Sequence, residues 1–160
     1  ADVPEVTLTV AGEFWDDKQP YLDQIKVLGL ESRVTLRPGY VAEQDFEAVF
    51  GSHDVLVLPY RSGTGSIVRE LAFQHGLPVI ATDVGAIAEG IEDGVNGRVI
   101  SADDAPELIK ALSQAAKPRE LSRWQKGVTG HAQRQAKLWS RYTQALLGRA
   151  EANAQHKHTR

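Results

Sequence analysis

Two runs, "DVLVLPY" (54–60) and "PVIATDV" (78–84), are apolar at nearly every position and rich in β-branched residues. Such runs suit strands covered on both faces, as in a parallel sheet. Between them, residues 66–75 carry helical spacing, closed by Gly76 with Pro78 just beyond. The same alternation extends through the body. "VTLTVAG" (6–12), "RVTLRPGYV" (33–41, weakened after Leu36 by Pro38-Gly39) and "GRVI" (97–100) read as strands. Residues 16–29 and 42–53 read as helices, 87–94 as a short helix running into a turn, and 103–116 as a helix with an acidic cap and an early proline. Strands alternating with helices predict an α/β fold: a parallel sheet with helices on both faces.

The 160 residues suit one domain. No apolar run approaches the roughly eighteen residues of a membrane span. The absence of cysteine excludes disulfides, thiolate chemistry and Cys-based metal sites. The absence of methionine leads us to expect a processed product or a piece of something longer. Charge is divided unevenly. Residues 1–116 carry 8 basic and 19 acidic side chains, a net −11, whereas residues 117–160 carry 10 basic and 2 acidic, a net +8. In this basic tail Leu121, Trp124 and Val128, then Ala132, Ala136, Trp139, Tyr142 and Leu146, recur at helical spacing. Gly127 and Gly130 are expected to divide the tail into two helices packed on the body over 117–150, with a disordered end over 151–160.

Ligands of doubly wound sheets bind beyond the carboxyl ends of the strands. Three loops are predicted there, able to share one crevice: "SGTGS" (62–66), Gly39-Tyr40 and Asp83–Gly85. In the first, Gly63 and Gly65 allow close approach to the main chain, and Thr64 or Ser66 can cap the following helix. The first-turn N–H groups and the helix dipole favour an anion such as phosphate. A capped tight turn without a ligand fits the five residues equally well. The P-loop is excluded because Ile67 follows Ser66 where lysine is required, and the dinucleotide fingerprint because Val68 replaces its third glycine.

Glu70 lies one turn beyond Ser66 on the same helix face. Its charge is unsuited to phosphate and suited to accepting hydrogen bonds from neutral hydroxyls, such as those of a ribose. A solvated glutamate beside Arg69 is the plainer reading. His53 and His75 end helices, His131 is expected at a helix start, and no histidine pair has metal-ligand spacing. Asp83 and Glu89 suggest an acid/base pair by type alone, and Asp83 is read as a loop cap.

The run "LTVAGE…VTLRPGYV…HDVLVLPYRSGTGSIVRELAFQHGLPVIATDVGAIAEGIEDGVNGRVI" resembles the C-terminal half of family 4 (group 1) glycosyltransferases over residues 5 to 116. "GLPVIATDVGAIAEGIEDGVNG" is its most specific part. The resemblance implies the C-terminal, donor-binding lobe of a GT-B fold, a Rossmann-like doubly wound parallel sheet followed by C-terminal helices. It further implies retaining transfer from a nucleotide-diphosphate sugar, with no metal and no cofactor. Glu70 would bind the donor ribose, and Ser62, Gly63, Thr64, Gly65 and Ser66 would line the diphosphate and sugar. Gly39, Tyr40 and Val41 would lie near the base. The general catalytic residue and the acceptor site would belong to an N-terminal lobe, so the chain alone is expected to be inactive.

Two departures stand out. Ser62 occupies the place of the family's first motif glutamate, and Ala86 that of a common second glycine. In the family one more strand-helix unit precedes "VTLTVAG", in the sheet between the strands at 6–12 and 54–60. Its absence here predicts two open strand edges unless another segment fills the gap. A noncatalytic lobe serving as partner or scaffold, and a nucleotide-sugar epimerase, are the alternatives. The expected setting is cytoplasmic, with the basic tail as a candidate for peripheral contact with anionic lipid.

Overall fold

The computed structural model describes the backbone of residues 6–157 and the side chains of residues 6–144. Among the described residues five strands and five helices follow one another as β1 (Leu8–Gly12), α1 (Gln19–Val27), β2 (Val34–Pro38), a 3-10 turn (Glu43–Asp45) running into α2 (Phe46–Gly51), β3 (Leu56–Leu58), α3 (Ile67–Gln74), β4 (Val79–Thr82), β5 (Gly97–Ile100), α4 (Ala105–Ala115) and α5 (Pro118–Lys157), alternating as far as β4. All strand pairs are parallel, in two separate sheets ordered β1-β2 and β3-β4-β5.

The apolar runs that opened the sequence form β3 and β4, and both faces of each are covered. Leu58, Val79 and Ala81 pack with Phe50, Ala72, Phe73, Leu77, Ile87 and Val128. Ile80, on the opposite face of β4, packs with Ile100, Ala111, Ala115 and Trp124, and Val55 and Val57 join that layer. Trp124 and Val128 are one helical turn apart yet enter opposite layers, so α5 closes the β5 side of the sheet. Burying each such side chain stabilises the fold by about 1.5–3 kcal/mol, and β3-β4-β5 with its helices holds nearly the whole core.

The β1-β2 pair differs. Leu8 and Val10 of β1 remain exposed, and neither strand reaches β3. Among the described residues the strands therefore form two unconnected sheets, and β3 ends its sheet without a partner on one edge.

Four expectations are corrected. Residues 87–94 form no helix but successive turns, because Gly90 and Gly94 take left-handed φ values of 79° and 72°. Buried Asn96 fixes these turns by donating to Gly90 O (3.1 Å) and accepting from Glu92 N–H (2.8 Å). Gly127 and Gly130 break nothing, since α5 is one helix of 40 residues. The disordered end is corrected for residues 151–157, which continue α5, while 158–160 lie outside the described residues. His131 sits inside α5, buried against Phe73, rather than at a helix start.

The acidic cap of α4 forms as expected. Asp104 Oδ1 accepts from Glu107 N–H at 2.8 Å, and Glu107 Oε2 accepts from Ser101 N–H at 2.7 Å. The Ser101 bond holds the Glu107 carboxyl below its usual range. That contribution to stability is present above the unfolded-state pKa and is lost as pH falls through the lowered folded value. Asp104→Ala is expected to cost about 1 kcal/mol, read as a lower melting temperature at neutral pH.

Candidate functional site

The loop 62–66 leaves the carboxyl end of β3 and enters α3. Ser62, Gly63, Thr64 and Gly65 are exposed. Ser66 takes the N-cap position in extended conformation, φ −144° and ψ 115°, but its side chain makes no cap bond. Neither hydroxyl expected to cap α3 does so. Ser66 Oγ is buried without a hydrogen-bond partner among the described residues. The α3 N-terminus therefore combines uncapped N–H groups, the positive end of a helix dipole and an unused hydroxyl.

A second loop is packed directly against the first. At Gly85, with φ 51°, a Cβ would lie 1.9 Å from Gly63 O, and at Gly63 a Cβ would lie 3.0 Å from Ile87 Cδ1. No side chain fits between the two backbones. Thr82, at the end of β4, donates to Tyr60 O at 2.6 Å and fixes the approach to the first loop. Asp83 does not act as a side-chain cap among the described residues. Its backbone N–H donates to Ile100 O at 2.8 Å and its side chain is exposed.

Arg69 joins these loops to the helix. Its side chain is only 14% exposed, and Nη1 donates to Ala86 O (2.9 Å) and Ile87 O (3.3 Å). Nη2 lies 3.6 Å from Glu70 Oε2, whose side chain is 45% exposed. Glu70 therefore stands at the rim of the joined loops, its charge partly balanced and acceptor capacity remaining. In the sequence Arg69 stands only as the neighbour of Glu70. The available signal was that it is the single basic residue of α3, set between Val68 and Leu71.

The structure thus brings together Gly63, Ser66, Arg69 and Glu70 with Gly85–Ile87. Gly39, Tyr40 and Val41 lie elsewhere, beyond β2. Gly39 has φ 115°, Tyr40 is 82% exposed, and all three border a cleft with Arg37, Asp45 and Val49. A larger neighbouring cleft runs from Glu13 to Lys18 and meets Pro38 and Gly39. Both clefts lie at the carboxyl ends of β1 and β2, and neither includes residues 62–66. Two of the three loops, 62–66 and the one at Gly85, are in contact, whereas Gly39-Tyr40 borders clefts that include neither.

Among the described residues no group of three or more His, Asp or Glu side chains could hold a metal ion. His53 Nδ1 lies 2.6 Å from Val49 O, and His75 stacks on Phe50 with ring centroids 5.2 Å apart.

A family model described as "Glycosyl transferases group 1" matches residues 1–117. A D-inositol 3-phosphate glycosyltransferase of Mycolicibacterium vanbaalenii is 32% identical over 136 residues, covering 82% of this chain and 29% of that protein. The chain spans about 30% of the length of the curated relatives it matches. Among solved structures, Anabaena Alr3699/HepE in complex with UDP and glucose superposes with a TM-score of 0.64 at 24% identity, covering 86% of this chain and 41% of that one. The C-terminal domain of a glycosyl transferase group 1 family protein (LpcC) from Francisella tularensis gives 0.67 at 16% identity, covering 74% and 62%.

Proposed function

The chain belongs to the group 1 glycosyltransferases and has the fold of a GT-B C-terminal lobe, and from that premise we propose that it is the donor-binding lobe of a family 4 retaining enzyme. Its donor is a nucleotide-diphosphate sugar. The observation that carries this reading is the uncapped α3 N-terminus, with its unpartnered Ser66 Oγ, facing an exposed Gly-Thr-Gly loop. A diphosphate satisfies those N–H groups and is favoured by the dipole. Glu70, held beside Arg69, accepts hydrogen bonds from the donor ribose. Gly39, Tyr40 and Val41 take the base, and Ser62 to Ser66 line the diphosphate and sugar. Breaking the sugar–phosphate bond moves negative charge onto the leaving diphosphate, which fixed N–H donors stabilise. Neither metal nor cofactor is needed, and the general catalytic residue comes from an N-terminal lobe that also binds the acceptor. The chain alone does not turn over. The reaction takes place in the cytoplasm. A nucleotide-sugar ligand is supported by the HepE structure, which holds UDP and glucose on a similar fold.

Calorimetric titration of the parent protein with nucleotide diphosphates and nucleotide sugars tests this reading. One donor class is expected to bind, equally well in EDTA. Glu70→Ala is expected to weaken it about tenfold to a hundredfold, the range for a hydrogen bond to a charged group. Unchanged affinity in Glu70→Ala would remove only the role of Glu70. Failure of every nucleotide to bind wild type would leave a noncatalytic lobe, for which Ser62 in place of a carboxylate is the supporting observation. Turnover of a nucleotide sugar without acceptor would identify an epimerase.

A further inference from the structure

Arg69 is a cation set among the apolar residues of α3. Val68 and Leu71 pack against the core, and Ala72 and Phe73 lie within it. The Arg69 side chain, at 14% exposure, is nearly as enclosed. Its guanidinium stays charged at any ordinary pH, and taking that charge out of water is costly unless acceptors and a counter-charge surround it. The acceptors are Ala86 O and Ile87 O, both served by Nη1. The counter-charge is Glu70, since no other carboxylate pairs with Arg69 among the described residues.

The approach of Glu70 does not follow from the helix. Residues one position apart on a helix do not face each other, yet Nη2 and Oε2 are 3.6 Å apart. That distance is too long for a hydrogen bond and close enough for Coulombic attraction. Arg69 Nε is buried with no partner among the described residues. Nη1 alone therefore anchors the guanidinium, and its Nη2 side is turned to the rim of the site. A clamp on residues 86–87 needs only the first of these contacts. The second holds a carboxylate that is 45% exposed and accepts no hydrogen bond among the described residues.

We propose that Arg69 is a positioning residue for ribose recognition. Fixed on the 86–87 carbonyls, it holds Glu70 in the one orientation that receives both hydroxyls of the donor ribose. This role rests on the donor-binding reading above, and Arg69 itself touches no part of the donor. The loop that Arg69 grips is also the loop that meets Gly63, so one side chain ties the ribose carboxylate to the diphosphate loop. The consequence is selectivity. A carboxylate that turns freely re-forms its bonds around a single hydroxyl, whereas a held one loses a charge-assisted hydrogen bond when the 2′-hydroxyl is missing. Arg69 thus sets the preference for ribonucleotides over 2′-deoxyribonucleotides. Lysine cannot replace it, because one nitrogen does not reproduce the planar fork that reaches carbonyls and carboxylate together.

The test is the ratio of dissociation constants of the parent protein for a 2′-deoxynucleoside diphosphate and its ribo counterpart. Calorimetry with the uridine, guanosine and adenosine pairs supplies it. For the pair that binds, wild type is expected to give a ratio of about ten or more, and Glu70→Ala a ratio of about one. Arg69→Leu and Arg69→Lys should each bring it to about three or less. Arg69→Lys keeps the cation and most of the volume, so it decides the matter if Arg69→Leu does not fold. In the Glu70→Ala background, Arg69→Lys should change the ratio no further. Affinity lost equally for both nucleotides, with the wild-type ratio retained, would overturn the proposal and leave Arg69 as a clamp on the 86–87 loop. A low ratio in wild type, or one that Glu70→Ala leaves intact, would overturn it together with the role of Glu70, though not the donor-binding reading. Failure of every nucleotide to bind wild type would overturn that reading as well.

Discussion

Alanine at position 127 is expected to destabilise the protein by about 2–3 kcal/mol, whereas alanine at 130 is expected to stabilise it by about 0.5–1 kcal/mol. Both glycines lie inside α5, and intrinsic propensity gives both substitutions the same favourable sign. Their surroundings separate them. A Cβ on Gly127 would lie 2.0 Å from Val95 O and 2.6 Å from Val95 C, backbone atoms held in place by buried Asn96. To accept it, α5 must lift from the segment leading into β5, drawing Trp124 and Val128 out of both layers of the core. The overpacking penalty therefore exceeds the propensity gain. At Gly130 the nearest atom is Arg134 Nη1 at 3.4 Å, the end of a flexible side chain, and the propensity gain survives. Thermal unfolding should show a fall of about 5–10 °C for Gly127→Ala and a small rise for Gly130→Ala. Equal shifts of the same sign would mean that α5 does not cross Val95 this closely.

The same glycine shows where local reading of the sequence stops. Gly127 looks like a helix breaker because propensity is all that a short window contains. The carbonyl that requires it is more than thirty residues away in the chain, at Val95. Likewise 87–94 had an apolar pattern compatible with a helix, and only the bonds of Asn96 to Gly90 and Glu92 reveal the turns. Legible features were those in which a local signal and its tertiary consequence coincide. The continuous apolar runs became β3 and β4 because covering both faces of a strand requires apolar residues at every position. Asp104, three residues before Glu107, became the cap of α4 because that geometry is local. For the candidate site, the loop and its helix could be read as a unit. The loop at Asp83–Gly85 could be placed at the same end of the sheet, but its backbone contact with Gly63 and the hold of Arg69 on its carbonyls could not, because strand order alone does not give loop-to-loop distance.

Gly85→Ala is expected to damage the candidate site more than the fold. Gly85 has φ 51°, where alanine costs about 1–2 kcal/mol from backbone conformation alone. The added Cβ would also lie 1.9 Å from Gly63 O and 3.0 Å from Gly63 C, so one of the two loops must move. The 84–88 side is held by the Arg69 bonds to Ala86 O and Ile87 O and by Ile87 in the core. The 62–65 side is exposed and therefore yields. Displacing Gly63 disturbs the entry to α3, where the proposed diphosphate meets uncapped N–H groups. We expect nucleotide affinity of the parent protein to fall at least about tenfold, the loss of one charge-assisted hydrogen bond. The melting temperature should fall by only a few degrees. Gly65→Ala is the stability control. Its Cβ would meet nothing within 4 Å, so stability should stay within about 0.5 kcal/mol of wild type. If Gly85→Ala binds nucleotide normally despite the melting shift, the contact between the loops is structural and the anion site does not depend on it. If neither quantity changes, the backbones of Gly63 and Gly85 are not in contact, and Arg69 has no joined pair of loops to hold.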